Sequence, residues 1–513
     1  MKKTYIDTAM ERIAPDLILK GGNVVDVFSG RVIKADVIIK DGIICGVGSY
    51  SGENEQDVSG KYIMPGFIDS HVHIESSMTQ PSEYAKAVMP HGITTVIADP
   101  HEITNVCGED GLEFMLKSAK NIPLDVNLML PSCVPATPFE HTGANLDAKT
   151  TQKLAPKFFG IGEMMNYPGI VSGDDETLGK LCLDIIDGHA PLLSGHELDA
   201  YASAGIKTDH ECSVVEEMTE KISKGMYILL REGTLSLDVA KLIKGVTPYT
   251  LRRCAFCTDD RFVGEIIRDG SIDHCIRKAV SLGLNNIDAI IMATLNACEM
   301  YGMKNKGAIA PSYVADIVVA DDLNLSSISQ VYKNGKLVCE NGKALFECET
   351  VDNSKVTNTV HLPKISADFF KTDVKDKFDA IELIPESIIT KKVTVSYSDS
   401  LSKVCVIERH HNLGTKGIGF VTNYGITNGA IATSIGHDSH NVIVIGDNDS
   451  DMALAVNTLG TSGGIAVCSE GKVIASMTLD IAGLMSVKSA DEVTREHDNL
   501  YSSAKVLNIT DKI

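Results

Sequence analysis

The sequence predicts an α/β protein: a (β/α)8 barrel inserted in a small β-sandwich, followed by a C-terminal α/β domain. Three observations predict it. Between residues 63 and 305, short apolar runs alternate with helical segments, the pattern of a parallel β/α fold. Runs of antiparallel character with a Gly-containing turn stand on both sides of that block, at 16–48 and again at 315–338. From about residue 385 a further set of strands and helices begins. A chain of 513 residues is too long for one core, and 44% hydrophobic with 22% charged residues is ordinary globular composition.

Taken in order, Asp41-Gly42 and Asn334-Gly335 are the hairpin turns of the two outer pieces, assigned to 1–62 and 306–350 as the halves of the sandwich. Eight runs are expected as barrel strands. The first is the apolar run around Phe67 and Ile68, ending at His71 and His73, and the second is Gly92–Asp99, before His101. The others are Asp125–Leu130, Phe158–Glu163, Leu183–Gly188 before His189, Ile206–Asp209 before His210, Met226–Leu230 and Arg253–Thr258 before Asp259. An open doubly wound sheet is the alternative, but no glycine-rich phosphate loop follows the first strand. Residues 351–384 mix residue types without a period and are expected as a linker, leaving 385–513 as the C-terminal domain and a possible active-site cover.

Chemistry-bearing residues gather just past the strand ends. His71 and His73, two apart, share a face and can reach one ion, and neutral imidazole is a good ligand for divalent metals. His101, Glu163, His189, His210 and Asp259 follow later strands, and a barrel collects those ends at one mouth, where its active sites lie. His73-Ile74-Glu75 with Cys254-Ala255-Phe256-Cys257 also imitates a zinc deaminase signature. The cysteines, however, lie inside an apolar strand on opposite faces and read as core or wall.

A net charge of −21 argues against nucleic acid or anionic membrane as partner and for a small, neutral or cationic ligand. Thirteen scattered cysteines, a start without a secretory leader, and no apolar run of membrane length are expected of a cytoplasmic protein.

The segments Pro65-Gly66-Phe67-Ile68-Asp69-Ser70-His71-Val72-His73, Ala98-Asp99-Pro100-His101-Glu102-Ile103, Gly162-Glu163-Met164-Met165-Asn166 and Thr208-Asp209-His210-Glu211 resemble the amidohydrolase superfamily of metal-dependent hydrolases, in particular its adenine-deaminating bacterial members. The resemblance spans nearly the whole chain, the C-terminal domain included. It implies hydrolysis of adenine to hypoxanthine and ammonia in purine salvage. It implies two divalent ions, Mn2+ or Fe2+ favoured and Zn2+ possible, with His71 and His73 on one, His189 and His210 on the other, Glu163 bridging, and Asp259 beside the attacking water as ligand and proton acceptor. His101 is an additional candidate for metal or substrate. By position, Ser76, Glu102, Arg231 and Glu232 are candidates for the purine edge. A homo-oligomer, at its smallest a dimer, is expected.

The rival within the superfamily is a cyclic amide hydrolase of the dihydroorotase or hydantoinase kind; outside it, a scaffold whose metals are purely structural. His437 and His440 in the C-terminal domain are read either as a solvated turn or as a lid reaching over the mouth.

Overall fold

The computed structural model describes residues 2–373, 376–384, 390–396 and 401–509; residue 385, the expected start of the C-terminal domain, and the last residues, 510–513, fall outside them. The first strands are β1 (Leu17–Asp26), β2 (Arg31–Lys40), β3 (Ile43–Gly48), β4 (Glu55–Asp57) and β5 (Tyr62–Pro65). The chain then changes sheets at Gly66. A Cβ there would lie 2.3 Å from Thr94 Oγ1, so the crossing tolerates only glycine. The small sheet's share therefore runs through Pro65, three residues past the expected boundary, because Tyr62 and Ile63 pair with β1 and Tyr62–Pro65 pairs along its whole length with the later strand Ile317–Ala320.

The barrel strands are β6 (Phe67–Val72), β7 (Ile93–Ala98), β8 (Asp125–Leu130), β9 (Gly160–Met164), β10 (Ile186–Gly188), β11 (Thr208–Asp209), β12 (Tyr227–Arg231) and β13 (Cys254–Cys257). β6–β10 and β11–β13 form two parallel sheets in chain order. The Gly188 N–H bonds Thr208 Oγ1 at 2.9 Å across the seam between them. The last strand returns to the first through Asp259, whose N–H donates to His71 O (3.0 Å) and whose carbonyl accepts from His73 N–H (3.1 Å). β6, β7 and β13 are buried along their whole length, the polar residues Asp69, Ser70, Thr94 and Thr95 included.

β14 (Ile317–Ala320), β15 (Ile328–Lys333), β16 (Lys336–Glu340) and β17 (Lys343–Ala344) return to the first piece in the order β17-β16-β15-β14-β5-β1-β2-β3, with β4 on β1. An Ile43–Val314 bridge and the Ala315 N–H on Gly42 O (2.8 Å) bring the far ends together. One curled sheet thus supplies both faces of the sandwich around Val37, Ile39, Ile44, Ile63, Ile317 and Val319.

The C-terminal domain is richer in strand than the expected alternation. β18 (Lys377–Glu382), β19 (Lys391–Ser396), β20 (Ser402–Ile407), β21 (Lys416–Thr422), β22 (Gly429–Thr433), β23 (Val442–Gly446), β24 (Gly464–Ser469) and β25 (Lys472–Thr478) form one sheet, antiparallel except for β18 against β21. Helices α1 (Asp449–Thr458) and α2 (Ala490–Ala504) accompany it. The expected linker is corrected too. Val360, Ile365 and Phe370 are buried in this domain's core, and β18 belongs to its sheet; irregular backbone anchored by isolated apolar side chains leaves no period to read.

This domain is fastened to the barrel. Ser486 N–H bonds Met78 O (2.9 Å), Ala490 N–H bonds Glu83 Oε2 (3.1 Å), and the His497 ring packs on Phe262. One apolar cluster runs from Tyr84, Val263 and Ile266 into Leu484, Met485 and Val493. Among the described residues no helix is long and apolar enough to cross a membrane.

Candidate metal centre at the barrel mouth

His71 lies on β6 and His73 just past its end, and both are buried. Their Nε2 atoms stand 3.2 Å apart, a separation that suits two ligands each about 2.1 Å from a common ion. His73 Nδ1 is 2.8 Å from the Asp99 carbonyl, so it carries the proton and donates it there, which leaves the Nε2 lone pair free. Glu163, on β9, is the centre of the group. Its Oε1 is 3.4 Å from both His73 Nε2 and His101 Nδ1, and its Oε2 is 2.7 Å from His189 Nδ1 and 3.2 Å from His210 Nε2. Asp259 Oδ1 is 3.2 Å from His73 Nε2 and 3.6 Å from His71 Nε2.

The ligand atoms of His71, His73 and Glu163 lie within 4.8 Å of one another, as do those of Glu163, His189 and His210, and those of His71, His210 and Asp259. Two of the three sets share Glu163, and each shares a histidine or Glu163 with the others, so together they form one group of imidazole and carboxylate ligands suited to divalent metal. Burial raises the Glu163 pKa, but His189 and His210 outweigh it and hold the carboxyl well below its usual range. Burial likewise raises Asp259, and His73, His210 and Arg231 hold it well below. Burial lowers His210, while Glu163 and Asp259 push it up to about 9. Without an ion these nitrogens keep protons for the carboxylates, the positive charge that a bound metal would replace.

The surroundings fix the two carboxylates. Glu163 N–H donates to Asp99 Oδ2 (2.8 Å), and its carbonyl accepts from Ser132 Oγ (2.6 Å). Asp259 has a φ of 57°, a left-handed conformation unusual for Asp in a barrel and one held here by its bonds to His71 and His73. At Gly162 a Cβ would sit 2.1 Å from Asp99 Oδ2. Gly162→Ala therefore displaces the aspartate that holds both Glu163 and His73. We expect about a hundredfold loss of turnover, the scale of an ångström's misplacement, in a protein whose circular dichroism is unchanged.

Several residues expected at the purine edge are engaged by protein partners. Arg231 Nε bonds Asp238 Oδ2 (3.0 Å), Nη1 bonds Asp259 Oδ2 (3.0 Å), and Glu211 takes the remaining side of the guanidinium, so no donor fork is left over. The Glu232 carboxylate is held by Lys278 and its carbonyl by Arg261. Glu102 is buried against His437 and His440. Ser76 donates to Asp260 beside Asp259. His101 stands between Glu163 and Glu102, its Nε2 3.4 Å from Glu102 Oε1. Cys254 and Cys257 are buried in β13.

Asp99, Glu211, Asp260 and Asp438 also belong to this neighbourhood and were not expected. Glu211 and Asp260 directly follow His210 and Asp259, so their place after a strand end was the available signal. The loop of His437 and His440 comes to the mouth, with His437 Nδ1 2.8 Å from Glu102 Oε1. Beside the centre opens a cavity lined by Ser132, Glu140, Met164 and Met165 from the barrel, and by His411 and Leu413 from the C-terminal domain.

Sequence comparisons agree with this architecture. The amidohydrolase family matches residues 62–338, and the adenine deaminase C-terminal domain matches 383–512. An adenine deaminase of Clostridium acetobutylicum is 47% identical over 95% of this chain and 89% of its own. Adenine deaminase 2 of Desulfotalea psychrophila is 44% identical over 98% and 91%. An adenine deaminase of Halalkalibacterium halodurans is 44% identical over 94% and 87%.

Proposed function

The chain belongs to the amidohydrolase family and, within it, to the adenine deaminases, and from that premise we propose that it hydrolyses adenine to hypoxanthine and ammonia. The observation that carries the reading is identity of 44–47% along nearly the full length of adenine deaminases, C-terminal domain included. We propose two divalent ions, Mn2+ or Fe2+ in preference to Zn2+, held by His71, His73, His189, His210, Glu163 and Asp259.

When bound, such ions supply a water acidic enough to attack at neutral pH. The chain's residues do the rest. Asp259, ionised and fixed by Arg231, accepts a proton from the water as it attacks C6 and passes it to the departing amine. Negative charge then builds on N1 of the ring. Asp260 is held above the ordinary carboxylate range by burial and by the charge of Asp259; one oxygen accepts from Ser76, and the other can deliver a proton to N1 and is reprotonated by the C6 hydroxyl as that oxygen becomes the carbonyl and ammonia leaves. The loop carrying His437 and His440 serves as a cover that excludes water from the reacting atoms.

A cyclic amide hydrolase is the poorer reading. Its substrates are often anionic and would need an unengaged cation at the mouth, whereas Arg231 is already matched to Glu211, Asp238 and Asp259. A cytoplasmic role in purine salvage, as a homo-oligomer, completes the proposal; all thirteen cysteines are unpaired, as a reducing compartment would keep them.

The test is a panel of purines, dihydroorotate and hydantoin offered to the chelated protein before and after Mn2+ is restored. Ammonia from adenine only after restoration is expected. Ring opening of a cyclic amide without ammonia from adenine would overturn the reading.

A further inference from the structure

We propose a third divalent-cation site at the seam between the barrel and the C-terminal domain, formed by Glu102 and His101 from the barrel and by His437 and His440 from the facing loop. It is separate from the pair of ions centred on Glu163 and does not rest on which base is deaminated.

The geometry converges on a point. The ligand atoms of Glu102, His437 and His440 lie within 4.8 Å of one another, as do those of His73, His101 and Glu102. His437 Nδ1 is 2.8 Å and His101 Nε2 3.4 Å from Glu102 Oε1, and His440 Nε2 adjoins Glu102 Oε2. Asp438 Oδ1 is 3.7 Å from His101 Nε2. Yet both Glu102 oxygens, both His101 nitrogens and His440 Nε2 are buried without a hydrogen-bond partner among the described residues. Atoms this close that do not meet one another's hydrogen-bonding geometry are arranged to share a ligand, as imidazole and carboxylate groups do around a metal.

Burial sharpens the point. Glu102 is 1% exposed and His440 is fully buried. Asp260 lies nearby, Asp438 stands partly exposed at the edge, and the buried Arg409 guanidinium donates to the His440 and Ala482 carbonyls and to Thr359 rather than to Glu102. Buried carboxylate oxygens left without a hydrogen-bond partner favour a cation between them. Three imidazoles with one or two carboxylates suit zinc, iron or manganese better than magnesium or calcium. Because two ligands come from each domain, the ion would pin the His437–His440 loop over the mouth. Occupancy and closure would then change together.

The full-length protein is stripped with a chelator, reloaded with excess Mn2+ or Zn2+, desalted, and its metal counted by mass spectrometry; Mn2+-loaded crystals are examined for anomalous scattering. The wild type is expected to hold about three ions per chain, with an anomalous peak between Glu102 and His440. The His437→Ala/His440→Ala double variant is expected to hold about two, both at the Glu163 centre. Should the double variant fail to fold, His437→Gln, changed at a side chain exposed to solvent, is expected to weaken the third ion alone. Two ions in the wild type with no peak at Glu102, or equal metal content in wild type and a folded variant, would overturn the proposal. Three ions without adenine turnover would contradict the proposed reaction and leave this site standing; two ions with full turnover would do the reverse.

Discussion

Replacing Asp259 with Asn slows adenine turnover by about a hundredfold to ten-thousandfold, the range that positioned acid–base groups contribute, while the protein stays folded and metal-loaded. Asp259 is the residue on which three constraints meet. Its backbone, at a φ of 57°, joins the last barrel strand to the first by bonding His71 and His73. Its Oδ2 is fixed by Arg231 at 3.0 Å, and its Oδ1 faces the two histidine Nε2 atoms. An asparagine keeps the shape and the oxygen facing the histidines but cannot accept a proton. Arg231 retains Glu211 and Asp238, so it is not left as an unpaired buried charge. Metal content and kcat measured on one preparation decide the matter. A variant that lost its metal, yet ran at full speed once reloaded, would make Asp259 a ligand only.

Glu163→Gln is expected to lower bound metal and turnover together, by more than the roughly tenfold to hundredfold that loss of a mere supporting partner costs. Each Glu163 oxygen serves a different pair of histidines, His73 with His101 and His189 with His210. An amide offers one oxygen and one NH2, and the NH2 repels a cation and finds no acceptor among ligating imidazoles. Metal content is read on the purified variant beside kcat. Undiminished metal with full turnover would remove Glu163 from the centre.

The barrel was legible because its strands carry short apolar runs set between helical segments, and because the metal-type residues lie at or just past the strand ends. The crossing at Gly66 was less so: Ile63, Met64, Phe67 and Ile68 form one apolar run in sequence, but the two halves pair in different sheets. The segment before β18 hid its packing because Val360, Ile365 and Phe370 are core residues on irregular backbone. Arg231 was half legible: its position at a strand end marked it for the mouth, but only the fold shows that Glu211, Asp238 and Asp259 engage most of its donors. His437 and His440 lie more than three hundred residues from Glu102 in the chain, and no local pattern records such a contact.

The central claim is that a water held at the Glu163 centre replaces the amine at C6 of adenine. The measurement that tests it most directly is turnover of adenine by the Mn2+-loaded protein in water enriched in heavy oxygen, with ammonia counted and the purine product weighed by mass spectrometry. The account predicts one ammonia for each hypoxanthine, each hypoxanthine carrying a single heavy oxygen at C6. Adenine recovered unchanged from a fully metal-loaded protein, or a ring-opened product without ammonia, would contradict it.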